Sequence, residues 1–235
     1  MENTLCNHET LSKTETAKTE VSGYSLYNPI IKQRERKNTL LVDGYPYPPL
    51  PSMKYDIIYA DPPWHYNGKV QFDKSLVKKE NPHYQKHIFV SSASFKYPTV
   101  KTQELAKIPV HTISEDNCLL FLWTTNPHLA QAIELGRAWG FEYKTVAFVW
   151  HKHNHNPGQY TLSYCELCLL FKKGKIPGPR GARNVKQFLR APRTEHSKKP
   201  GEVARNITKM FPTQKKIELF ARQRFDNWDA WGLEI

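Results

Sequence analysis

Apolar positions along the chain gather into short runs separated by polar, proline-containing stretches. "YDIIYA" at 55–60, "CLLFLWT" at 118–124, "YKTVAFVW" at 143–150, "CELCLLF" at 165–171 and "KIELFA" at 216–221 all have strand length. Some are apolar at nearly every position, the pattern of a strand covered on both faces, where neither side of the pleat meets water. Helix-like stretches lie between them. Thr99 or Thr102 can cap a short helix through Lys107, ending before Pro109. Pro127 leads into "HLAQAIELGRAWG", where Leu129, Ala132, Ile133, Leu135 and Trp139 predict one buried face and Gly140 a stop. Pro200 opens "PGEVARNITKMF", and "DNWDAWGLEI" closes the chain. Strands alternating with helices predict an α/β domain with a mostly parallel, Rossmann-like sheet and helices on both faces.

The same pattern divides the chain. Residues 1–22 are rich in Thr, Lys, Glu and Ser and predict a disordered polar tail. Residues 23–54 read as a linker or arm, its last part the proline-rich "TLLVDGYPYPPLPS", and 55–235 as the domain proper. Between the first domain strand and Tyr97 lies a long stretch with Lys69, Lys74, Lys78, Lys79 and Lys86 and no periodicity. Long segments of this kind inside compact domains usually serve as lids or binding loops.

Charge narrows the partners. Among 235 residues, Lys and Arg number 34 against 22 Asp and Glu, a net charge of +12, which favours a polyanion. No run reaches the roughly eighteen apolar residues of a membrane span and the N-terminus lacks an apolar signal core, so a cytoplasmic protein is expected, nuclear if eukaryotic. Four cysteines are too few and scattered for a disulfide scaffold. Cys165 and Cys168 sit three apart on a predicted strand, hence on opposite faces, and read as core thiols rather than metal ligands. His151, His153 and His155 would share one face of a strand as a zinc site, but Asn, Lys and Pro157-Gly158 around them also fit an exposed polar loop, so no metal site is expected. Neither G-x-G-x-x-G nor G-x-x-x-x-G-K-[ST] is present, which leaves dinucleotide and nucleoside triphosphate binding without a motif.

The most specific chemistry follows the first domain strand, in Asp61-Pro62-Pro63-Trp64. Prolines end the ladder, so Asp61 stands at the carboxyl end of a strand, where open α/β sheets bind ligands. An exocyclic base amine is a poor nucleophile because its lone pair is delocalised into the ring. Asp61 can accept one of its N–H groups and the Pro62 carbonyl the other, with proline rigidity fixing the pair, so that the lone pair is aimed at an electrophile. Trp64 can stack on the extruded base, worth about 1–3 kcal/mol against unstacking. No second carboxylate, Ser/His pair or metal cluster stands beside the motif, so hydrolysis is disfavoured.

In this motif, together with "YPTV" at 97–100, "LLFLWTT" at 119–125, "WGFEYKTVAFVWHK" at 139–152, "EHSKKPGEV" at 195–203, "KIELFAR" at 216–222 and "WDAWG" at 228–232, the chain resembles the D-P-P-W N6-adenine methyltransferases of the MT-A70 family. The resemblance runs from about Leu41 to the C-terminus. It implies an S-adenosylmethionine-dependent methyltransferase fold with permuted motif order. It also implies a role for each matching residue. Asp61 and Pro62 would bind the target amine, with Asp61 also near the methionine ammonium of S-adenosyl-L-methionine. Tyr97 would line the adenine pocket, Lys199 would contact the methionine carboxylate, Glu218 and Arg222 would hold the cofactor ribose and its surroundings, and Asp43 would contact the cofactor adenine.

Departures from the family pattern point to a subgroup. Leu233 stands where relatives carry Asn after the closing W-G, and Arg224-Phe225 replaces a His-Asn pair of the eukaryotic messenger-RNA enzyme. The segment after Trp64 is longer and more basic than in that enzyme, and no Cys/His module precedes the domain. These features resemble short prokaryotic or phage DNA adenine methyltransferases, which makes DNA the expected partner ahead of RNA. A catalytically silent nucleic-acid-binding subunit is the alternative from another class, and a homodimer or partner chain is compatible with either. Lys172 to Lys199 holds ten basic residues against Glu195 alone. Arg180 and Arg183 in this run, with Lys69 on the opposing wall, are expected to clamp backbone phosphates.

Overall fold

A computed structural model describes residues 39–65, 99–156, 160–193 and 198–235. The polar tail at 1–22, the first part of the 23–54 arm, and the basic segment with Lys69 and Tyr97 lie outside the described residues.

The described part of the arm carries a hairpin, β1 (Leu40–Val42) and β2 (Tyr45–Tyr47). Asp43 and Gly44 form its two-residue turn, both with positive φ (50° and 82°), as a tight hairpin of this twist requires. Its Val42 and Tyr47 are buried, and Tyr47 stacks on Trp231 near the C-terminus with ring centroids 4.9 Å apart.

Seven strands make the main sheet. They are β3 (Tyr55–Ala60), β4 (Ser114–Thr124), β5 (Glu142–Asn156), β6 (Ser163–Lys173), β7 (Phe188–Arg190), β8 (Lys216–Leu219) and β9 (Asp229–Trp231). The order across the sheet is β7-β5-β6-β4-β3-β8-β9. β3 pairs in parallel with β4 and β8, β9 continues in parallel from β8, and β7 lies parallel to β5. β6 is antiparallel to both its neighbours, so it alone runs against the others. The sheet is therefore mostly parallel, as its apolar runs predict, and the hairpin from β5 to β6 supplies the reversal.

Alternation along the central strands divides the core in two. Ile58, Ala60, Leu120 and Leu122 pack with Leu105, Ala132, Leu135 and Trp139, which come from α1 (Thr102–Ala106), α2 (Leu129–Ala138) and the residue after it. Ile57, Tyr59, Leu119, Phe121 and Trp123 pack on the other face with Val203, Ala204 and Ile207 of α3 (Gly201–Met210). Helices cover both faces, and β3 and β4, apolar on both alternations, are central because of it.

Three local expectations change. The residue capping α1 is Lys101, with no side-chain cap. Thr99 is occupied instead by a 2.9 Å hydrogen bond with the His65 ring, and Asp43 Oδ2 accepts the Lys101 N–H. In α2 the buried stripe is Ala132, Leu135, Gly136 and Trp139, the i, i+3, i+4, i+7 set, which rotates Leu129 to an exposed position. Gly140, with φ of 90°, ends the helix as expected. The His151-x-His-x-His tract is part of β5, not a loop, and no group of metal-ligating side chains is found among the described residues. Cys168 is a buried thiol and Cys165 is half-buried.

Candidate active site

The parallel strands deliver their carboxyl ends to one edge of the sheet, where Asp61, Lys199 and Glu218 gather. β3 stops at Ala60. The Asp61 N–H reaches back to the Leu219 carbonyl of β8 at 3.4 Å, and Pro62 and Pro63 carry the chain off the ladder. The turn is then tied twice: Trp64 N–H donates to the Pro62 carbonyl at 2.9 Å, and Val100 N–H to the Pro63 carbonyl at 2.8 Å. The Pro62 carbonyl thus stands outside any strand ladder; it holds one turn N–H and keeps one lone pair.

Trp64 is also more constrained than expected. It is only 4% exposed, its Nε1 donates to the Trp123 carbonyl at 3.1 Å, and its ring stacks on His128 at 5.5 Å. This corrects the base-stacking role: with one face taken and the ring enclosed, Trp64 offers little surface to a base and packs the turn. His128 completes the brace. The His65 carbonyl can only accept, so His128 Nε2 donates to it at 3.0 Å and Nδ1 accepts from the Thr125 hydroxyl, also at 3.0 Å. Burial pushes the imidazole pKa below its usual value, which favours this neutral tautomer.

Asp61 is buried and meets Lys199, which lies just before α3. Lys199 Nζ stands 2.8 Å from Oδ1 and 2.9 Å from Oδ2, so both carboxylate oxygens face one ammonium. The same ammonium is 3.3 Å from Glu166 Oε2 on β6 and 5.6 Å from the centre of the Trp123 ring. Glu166 Oε1 in turn accepts from Lys152 of β5 at 3.1 Å. Burial pushes the Glu166 carboxyl up, but Lys199 and Lys152 outweigh it and hold the group below the ordinary carboxylate range. Two carboxylates and two ammonium groups thus alternate through a low-dielectric interior, each charge matched by its neighbour.

Glu218 of β8 lies beside Tyr59 of β3 in the ladder and is buried. Burial, with Asp61 adding repulsion, pushes its pKa up to about 8. Its Oε2 is buried with no hydrogen-bond partner among the described residues. A buried, unmatched acceptor is costly unless a ligand supplies the donor.

The remaining selected residues divide. Arg222 Nε is 3.5 Å from Glu234 Oε1, beyond a turn in which Phe220 takes positive φ. Asp43 lies near the D-P-P-W turn, because Lys101, whose N–H it accepts, follows the Val100 that bridges to Trp64. Arg180 and Arg183 do not join the site. Their segment is tied to the far end of α3, where Gly181 and Ala182 donate to the Met210 and Lys209 carbonyls, and Arg180 lies over the Phe211 ring. Ten helical residues, about 15 Å, separate that end from Lys199. Lys152, Glu166 and His128 escape a sequence reading, although a lone charge inside an apolar strand ("YCELCLLF") is the signal that could have marked Glu166.

A carboxylate-lysine centre at the carboxyl edge of a Rossmann-like sheet, directly after a D-P-P-W strand end, defines a methyltransferase class. Similarity agrees: the MT-A70 family pattern matches residues 55–234, and the chain belongs to that family. It is 57% identical over 216 residues to the type II methyltransferase M.MunI of Mycoplasma sp., covering 92% of this chain and 91% of that protein. It is also similar to the human N(6)-adenine-specific methyltransferase METTL4, 28% identical over 77% of this chain and 37% of that protein. Human METTL3, an N(6)-adenosine-methyltransferase catalytic subunit, is 26% identical over 77% of this chain and 28% of that protein.

Proposed function

We propose that this chain transfers a methyl group from S-adenosylmethionine to the N6 amine of adenine in DNA. The observation that carries this reading is Asp61, placed at the end of the central strand with both oxygens toward Lys199 and the Pro62 carbonyl beside it. Family membership supports the reaction, and the 57% likeness to a type II methyltransferase supports DNA as the substrate.

The residues fit the cofactor. Glu218 supplies the unmatched acceptor that ribose hydroxyls would satisfy, and Lys199 a cation for the methionine carboxylate. Bound S-adenosylmethionine provides an electrophilic methyl group. Asp61 accepts one N–H of the target amine, and the Pro62 carbonyl accepts the other through the lone pair that Trp64 leaves open. Held at both N–H groups, the amine presents its lone pair out of the base plane, and Asp61 stands ready to receive the proton released after transfer. The brace of Trp64 on His128 keeps this turn rigid. Tyr97 and Lys69 complete the proposed adenine pocket and phosphate wall, and Arg222 and Asp43 the cofactor rim. Among the described residues no helix is long and apolar enough to cross a membrane.

The test is nucleoside mass spectrometry after incubating the chain with labelled S-adenosylmethionine and matched single-stranded DNA, duplex DNA or RNA. Labelled N6-methyladenine in DNA, absent with Asp61→Ala, is expected. Label in RNA alone would move the substrate. Transfer to none of them, with tight nucleic-acid binding, would replace the enzyme with a nucleic-acid-binding subunit.

A further inference from the structure

The histidine tract, read from the sequence as an exposed polar loop, lies in β5 beside exposed aromatic rings. On the β5–β6 hairpin and β7, aromatic and imidazole rings adjoin in a row. Phe188 lies 6.0 Å from His151, His151 stacks on Tyr164 at 5.8 Å with planes 10° apart, and His155 meets Tyr164 at 5.5 Å. Arg190 extends the row, its guanidinium 5.8 Å from the Phe188 ring centre. These rings are not core: Phe188 is 49% and Tyr164 38% exposed, and Tyr160 at the hairpin's far end is 91% exposed. The segment that carries them has charge of one sign, since from residue 143 to 194 the chain holds no acid except buried Glu166. The row also adjoins the site. His151 precedes Lys152, and Tyr164 lies two residues, about 7 Å of strand, from Glu166.

We propose that Phe188 and Tyr164 are a stacking platform for the bases flanking the target adenine in single-stranded or locally opened DNA, with Arg190 moving from the Phe188 face to an adjacent phosphate. The proposal rests on the nucleic-acid reading above. Rings left part-exposed among basic groups suit unstacked bases, which need no sequence-specific hydrogen bond to bind there. A protein partner of mixed charge would meet no matching exposed acid in the segment 143–194 that carries the rings.

Fluorescence anisotropy with a dye-labelled single-stranded oligonucleotide, comparing wild type with Phe188→Ala and Tyr164→Ala, tests it. Phe188→Leu serves as a variant that keeps apolar packing but loses the π face. Each aromatic loss should weaken binding roughly 5- to 100-fold, with cofactor affinity and the salt slope of binding unchanged, because stacking releases no counterions. Wild-type affinity in all three variants would overturn the platform while leaving methylation intact. So would a wild-type dimer by sedimentation that the variants dissociate without loss of DNA binding, which would make the row an interface between copies. A wild-type chain that binds no nucleic acid would instead remove the reading on which the platform stands.

Discussion

The Lys152 ammonium lies 3.1 Å from Glu166 Oε1, with both side chains buried behind the Asp61–Lys199 pair. Glu166 therefore has two cations to satisfy, and Lys199 is held from behind as well as by Asp61. Removing Glu166 leaves Lys152 buried and unmatched, at a cost of about 3–5 kcal/mol. Glu166→Ala should lose that stability in urea denaturation, and Glu166→Gln should lower kcat by up to ~10²-fold through misplacement of Lys199. Replacing the pair together, Lys152→Met with Glu166→Leu, should recover much of the stability but not the rate. Full kcat in the double variant would show that the inner pair does not position Lys199.

The raised Glu218 pKa predicts a pH-dependent site. The folded pKa, about 8 against an ordinary 4.5, means the native state holds a proton that the unfolded chain has released. Stability from this group is complete below about pH 4.5 and is lost as pH rises to about 8. Wild type should therefore fall in stability relative to Glu218→Gln across that window, read as paired Tm values at each pH. Cofactor affinity should move the other way. The ionised carboxylate accepts ribose hydroxyls better than the acid, so calorimetry should show tighter S-adenosylmethionine binding toward pH 8 and a flatter profile in Glu218→Gln. Parallel profiles would remove Glu218 from the cofactor site.

Much of this arrangement is legible in the chain because it depends on local order. Apolar runs identify β3, β4, β5, β6 and β8, and the D-P-P-W prolines fix where β3 must end. Asp61 and Glu218 are brought to one edge because β3 and β8 run parallel, and the segment before α3 carries Lys199 to it. What the pattern could not show depends on pairing between distant segments. His128 braces Trp64 across 64 positions, and Glu166 joins Lys152 only through the β5–β6 hairpin. Charge alone does not show that the segment of Arg180 and Arg183 is tied, through the Gly181 and Ala182 N–H groups, to the end of α3 remote from Lys199. Leu129 fits an apolar face on paper, yet the helix phase is set by Trp139, whose indole donates to the Leu105 carbonyl at 2.9 Å and fixes α2 against α1.

Gly136 tests the packing on that side. It is buried in α2, where Ala would ordinarily gain about 1 kcal/mol in helix propensity. A methyl group there would collide with the Phe171 ring of β6. Gly136→Ala should thus be net destabilising by about 1–3 kcal/mol in urea unfolding. Phe171→Leu, destabilising alone, should cost less when combined with Gly136→Ala. A stabilised single variant would mean that the ring yields easily.

If the chain acts on DNA as proposed, position in the fold decides which basic residues meet the phosphates. Arg180 is anchored over Phe211 at the end of α3 remote from Lys199, whereas Arg190 leaves β7 beside His151 and next to Ala191, whose carbonyl accepts the Trp150 indole N–H at 2.9 Å. A phosphate contact contributes about 0.7–0.9 to the slope of log affinity against log salt. Arg190→Ala should flatten the slope by about that amount in single-stranded DNA binding. The double variant Arg180→Ala with Arg183→Ala should leave the slope close to wild type, contrary to a reading from charge alone. If the double variant flattened it by two contacts and Arg190→Ala by none, DNA would have to cross the α3 side of the domain, and the path from the phosphate track to Asp61 would need a different course.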